Sequence, residues 1–166
     1  MGGSVRQRAS MVSGYTPIEP EGLFHGLRWQ PIAYGIVVDT FLTLITFVPL
    51  YLWFAGPDFF SENEAVANKA VMRAYGSTLF NFVGLVVGGL CTAVGAFVAA
   101  RRAGVHFVRH GGWVAVGSAV LAVVLLALVP AGPSQPIWVE LVGFIMIIPC
   151  GVLGGHIAGQ IEASAA

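Results

Sequence analysis

An all-α integral membrane bundle of four transmembrane helices is the fold class this sequence predicts, on three observations. Hydrophobic residues make up 57% of the 166, and charged residues only 10%, against about 25% in a soluble domain. Mean hydropathy is +0.82. The apolar residues gather in four runs of roughly 18–25, enough at 1.5 Å per residue to cross a hydrocarbon core of about 30 Å. Lipid cannot satisfy backbone N–H and C=O groups, so each run must be a helix. The length allows one domain.

Residues 1–22, "MGGSVRQRASMVSGYTPIEPEG", are polar and turn-rich, and are expected to form a disordered tail. They carry Arg6 and Arg8 but no apolar stretch before Ile32, unlike a cleavable signal peptide. Arg6 also breaks the myristoylation pattern. The transmembrane domain is read as 23–161. It opens with "LFHGLRWQP", suited to lying in the interface with Trp29 as aromatic anchor. The first span is expected at 32–54, with Pro31 at its start and Pro49 kinking its far end. Tyr51, Trp53 and Phe54 form an aromatic belt, and Gly56–Asp58 breaks the helix. The loop 57–75 holds a short helix from Ser61, with Ser61 as N-cap and Glu64 completing a capping box. The second span is expected at 77–100, the third at 112–129 after the basic turn "RRAGVHFVRHGG". The fourth is expected at 137–161 after the proline-rich "PAGPSQP", with 162–166 as a short C-terminal tail.

Charge orients these spans. Arg6, Arg8 and Arg28 precede the first, and Arg101, Arg102 and Arg109 lie between the second and third. Only Lys69 and Arg73 lie in the loop on the other side, diluted by Asp58, Glu62 and Glu64. The positive-inside rule then places both termini in the cytoplasm. No basic cluster suits nucleic acid. Cys91 and Cys150 sit in apolar runs with no metal-ligand spacing around them, and read as small packing residues.

Two stripes of small residues stand out. Gly151, Gly155 and Gly159 recur every fourth residue, with Gly154 and Ala158 alongside; Gly84, Gly88, Cys91, Gly95 and Ala99 share one face of the second span. In lipid, close backbone approach over small residues drives helix association. The two striped spans are therefore expected at the centre of the bundle, or each against another close-packed helix. The stripes also align: "VGAFVAARRAG" at 94–104 matches "LGGHIAGQIEA" at 153–163, which raises the possibility of two duplicated hairpins. The endings "GAFVAARRAG" and "GGHIAGQI" resemble a loose class of small prokaryotic four-helix membrane proteins. Those carry Gly-Gly-x-x-Ala-Gly-type helix ends and form a domain of unknown function. The chain departs from the pattern at Ala96 and Ala100, which replace glycines, and at Gln160, which stands where a basic residue is usual. The resemblance implies a prokaryotic inner-membrane protein and supplies neither activity nor site residues.

Few polar groups enter the spans. Asp39 lies about 10 Å past the cytoplasmic entry, and His156 about 7 Å from the cytoplasmic end of the fourth span, by helical rise. A charge in mid-membrane costs at least about 2.5–3.5 kcal/mol, so such groups face the interior and find partners. Asp39 and His156 are the natural pair, as a proton or cation site or as a structural tie reinforced by Thr40, Thr43 and Thr46. Arg28, Arg102 or Tyr34 are the other partners open to Asp39. Glu140 suits the N-terminus of its helix, within reach of Asn81. His106 and His110 have i, i+4 spacing, but no Glu or Cys accompanies them and Gly111–Gly112 should break any helix there. No nucleophile elbow, phosphate loop or paired-carboxylate signature occurs, so no catalytic residue, metal or cofactor is expected. The expected function is a non-enzymatic membrane subunit, packed through its glycines into a homo-oligomer or larger complex in the bilayer. The alternative is a small proton- or ion-coupled transporter or channel using Asp39 and His156.

Overall fold

The structure, a computed structural model, describes residues 26–128 and 135–165. It is all-α: α1 (Trp29–Ala55), α2 (Glu64–Gly76), α3 (Thr78–Ala103), α4 (Phe107–Leu128) and α5 (Ile137–Ala165), with a 3₁₀ turn at Pro57–Phe60. Helices α1, α3, α4 and α5 have 27, 26, 22 and 29 residues and are long and apolar enough to cross a membrane. The chain is an integral membrane protein. The predicted tail 1–22, and Leu23 and Phe24 of the interfacial segment, lie outside the described residues.

Two helix ends differ from expectation. The third span begins at Phe107 rather than Gly112, so Gly111–Gly112 do not break a helix but lie inside α4. The reason is packing: a methyl group at Gly111 would lie 3.0 Å from the Gly155 backbone and would collide with the Gly151 carbonyl. Tertiary contact there outweighs the roughly 1 kcal/mol helix penalty of a glycine. The fourth span runs on through the expected tail to Ala165, where Ser164 Oγ donates to the Gln160 carbonyl at 2.9 Å. Trp29 belongs to α1 itself, and its ring meets Trp113 edge-on at 5.9 Å. In the outer loop, Asn63 rather than Ser61 caps α2; its side chain accepts from Ala65 N at 3.0 Å, while Ser61 Oγ accepts from Asn63 N.

The other three spans surround α3. It packs most extensively on α5 and α1, and also meets α4. Helix α4 lies between α1 and α5 at the Arg-rich end, and α1 and α5 do not pack on each other. The interior is built from small side chains, with Ala96, Ala99, Ala100, Ala115 and Ala158 fully buried. The large ones, such as Val37, Phe41 and Leu153, point outwards. This is the arrangement expected where lipid, not water, is the solvent.

The two striped helices pack on each other more extensively than any other pair, but only α3 is central, since α5 does not touch α1, and their glycines mostly face other neighbours. Gly95 takes α1: a methyl there would lie 2.6 Å from the Gly35 carbonyl. Gly84 and Gly88 face Phe47 of the same helix. Gly151 and Gly155 take α4, at Gly111 and at Phe107–Val108, and Gly159 meets the Phe107 ring. Of the α5 stripe, Gly154 seats α5 on α3, against Ala93 and Phe97, and on α3 Gly89 lies against Cys150. A duplicated hairpin would send Gly154 to α4, as its match Gly95 goes to α1. The sequence similarity therefore does not extend to symmetric packing.

Candidate functional site

Asp39 shares one face of α1 with Ile32 and Gly35, and all three are buried. Asp39 is 5% exposed. Gly95 makes this possible, since a methyl there would lie 2.8 Å from the Asp39 Cβ and hold the helices apart. Thr92 of α3 donates its hydroxyl across both carboxylate oxygens, at 3.3 and 3.4 Å. Ser118 of α4 is also buried and faces the carboxylate, yet its hydroxyl makes no hydrogen bond of ordinary length. Asp39 stands ten residues into α1, Thr92 eleven from the end of α3, and Ser118 eleven into α4. The three thus lie at one depth, about 15–17 Å from the Arg-rich end.

Beyond this cluster the helices separate. Past Ser118 the side chains of α4 are mostly exposed. An open cavity of about 980 Å³ follows, running from Asp39 to Asn81, Gln135 and Glu140 at the α2 end. Its walls are largely apolar, with Phe47, Phe80 and Phe144 among them. Towards the Arg-rich end it is closed by Ile32, Ala96, Ala99 and Val114. No Lys, Arg or His lines it among the described residues. Near the mouth, Asn81 is 3% exposed. Its amide donates to the Tyr75 carbonyl at 3.0 Å, and its Oδ1 has no hydrogen-bond partner.

The expected Asp39–His156 pair does not form. His156 is exposed, and its Nε2 meets Gln160 Nε2 one turn along at 3.0 Å. It shares a shallow recess at the Arg-rich end with His106 and Phe107. Neither the depth nor the direction is as expected: Gly155, beside His156, meets Phe107 and Val108 at the start of α4, whereas Asp39 is level with Ser118, eleven residues further in. With 3.6 residues per turn, His156 lies about 140° around the helix from Gly151, whose stripe is the buried one. The other named partners of Asp39 lie elsewhere. Arg102 lies over the Tyr34 ring at 4.1 Å, and Arg28 is exposed, before the start of α1 and eleven residues ahead of Asp39. Asn81 binds Tyr75 rather than Glu140, though both line the cavity. His106 and His110 do not converge: His110 is fully buried, with Nδ1 3.1 Å from the His106 carbonyl. Cys91 Sγ lies 3.7 Å from Thr46 Oγ1, and Cys150 lies against Gly89.

Thr92 and Ser118 went unnoticed in the sequence, although a signal existed. Ser118 is the one hydroxyl in the apolar run 113–128, and Thr92 the one hydroxyl between Thr78 and Ala103. Comparison with family models, curated proteins and solved structures finds no match to this chain.

Proposed function

We propose that this is a small non-enzymatic carrier, set in a prokaryotic inner membrane with both termini cytoplasmic, in which Asp39 takes up a proton or another cation from the cavity. The observation that carries the proposal is a buried carboxylate, without a basic partner among the described residues, at one end of a cavity that runs on towards α2. An isolated carboxylate in a low-dielectric interior is costly, and it is relieved by a proton or a bound cation. A carrier of this kind would have to open the Arg-rich end, which Ile32, Ala96, Ala99 and Val114 close. His156 has no part in this site. A passive oligomerising subunit has less support, because the glycine stripes that argued for it are occupied by helices of the same chain.

A hydrophobic carbodiimide, which reacts with protonated carboxyls in apolar surroundings, tests the proposal on membranes containing the protein. Peptide mass mapping should find the adduct on Asp39, and Asp39→Asn should lack it. Absence of an Asp39 adduct at both acidic and neutral pH would remove the proton site.

A further inference from the structure

The chemistry of the cavity also defines its occupant. We propose that it binds a hydrophobic organic cation, with the charge at the Asp39 carboxylate and the apolar body against Phe47, Phe80 and Phe144. This rests on the carrier reading and adds the substrate class.

Four features of the cavity point the same way. Both acids that line it, Asp39 and Glu140, attract cations and repel anions. Of the two buried polar atoms without partners among the described residues, Asn81 Oδ1 is purely an acceptor and Ser118 Oγ has acceptor capacity besides its proton, so a ligand that donates hydrogen bonds is accommodated. Aromatic faces attract cations through the ring quadrupole. A volume of about 980 Å³ belongs to the upper part of the range for organic ligands.

Size and wall chemistry separate an organic cation from a metal ion. A hard ion such as calcium needs about six to eight oxygen ligands at close range. Asp39 has around it only the hydroxyls of Thr43, Thr92 and Ser118. The rest of the cavity, about 16 Å from Thr92 to Asn81 by helical rise, is apolar and would go unused. An uncharged lipid would use those walls but leave the carboxylate uncompensated.

Tetraphenylphosphonium and tetraphenylborate have nearly the same size and shape and opposite charge, so the pair isolates the sign of the ligand. Equilibrium dialysis of the full-length protein in a neutral detergent should show saturable binding of the phosphonium and none of the borate. Asp39→Asn should weaken phosphonium binding at least about tenfold. Acidification of the wild type applies the same neutralisation without a substitution, and serves if that variant does not fold. Where one proton displaces one cation, affinity falls about tenfold per pH unit. The other titratable groups lining the cavity are Tyr75 and Glu140. A Glu140→Gln variant separates them: it should retain most of the pH dependence. Equal binding of both probes, or phosphonium binding indifferent to Asp39 and to pH, would overturn the cation assignment. If the carbodiimide still labels Asp39 in that case, the proton site stands and only the substrate class falls.

Discussion

At the scale of single residues, the distinction that matters is between glycines set against backbone and glycines set against open space. A methyl group at Gly95 would meet the Gly35 carbonyl at 2.6 Å and the Asp39 backbone nitrogen at 3.1 Å. Neither can move without shifting α1. Gly88 faces Phe47 with nothing nearer than 3.9 Å. Gly95→Ala is therefore expected to destabilise the bundle by about 1–3 kcal/mol, the usual cost of overpacking. Gly88→Ala should be neutral, or stabilising by up to about 1 kcal/mol, because alanine is the better helix former. Thermal unfolding of both variants in detergent checks this, and equal melting would mean that α1 and α3 do not cross at Gly95. Gly95→Ala should also slow carbodiimide labelling, since Asp39 sits in the same contact.

At the scale of elements, α2 shows how a polar loop is held against the apolar spans. Ala55, Ala70 and Ala74 are fully buried together, with Tyr51, Phe54 and Phe59 packed around them. Tyr51 also meets Tyr75 and Phe80, at 5.6 and 6.2 Å between ring centroids. The Arg73–Asp58 ion pair at 3.3 Å joins two exposed side chains and adds little. Local stability therefore comes from the alanine contact and the Asn63 cap. Asn63→Ala should cost α2 about 1 kcal/mol, seen as faster amide exchange at Ala65–Ala67 while α1 and α3 are unchanged. The same aromatic cluster includes Phe80, which lines the cavity, so α2 stands at its mouth as a structural wall.

At the scale of the whole molecule, function depends on which side the cavity faces. Arg28, Arg101, Arg102 and Arg109 gather at the closed end, and α2 at the open one. With the Arg-rich end cytoplasmic, the cavity opens outwards. A cysteine introduced at Glu62 should react with a membrane-impermeant maleimide on intact cells, in a background where Cys91 and Cys150 are replaced by alanine. Labelling only after lysis would reverse the orientation, and the cavity would then open to the cytoplasm.

Composition and run length alone determined the class of this protein, because a bilayer of set thickness leaves helices of set length as the only solution. They did not determine the relative depth of Asp39 and His156, because helical rise converts residue counts to distance only from a known helix end, and α1 begins and α5 ends outside the expected bounds. The buried face of α5 was legible: the Gly151–Gly155 stripe already placed His156 on the far side of the helix. What only the tertiary structure decided was which helix each stripe would meet. Glycine stripes state that a backbone comes close, not whose it is. The same limit hid the site. Thr92 and Ser118 lie at the depth of Asp39 in two other helices, and no periodicity within one helix records the rotation of its neighbours. The cavity itself has no signature along the chain, because it lies between helices, beyond Ser118 where the side chains of α4 become exposed while Gly111, Gly151 and Gly155 hold α4 against α5 at the opposite end.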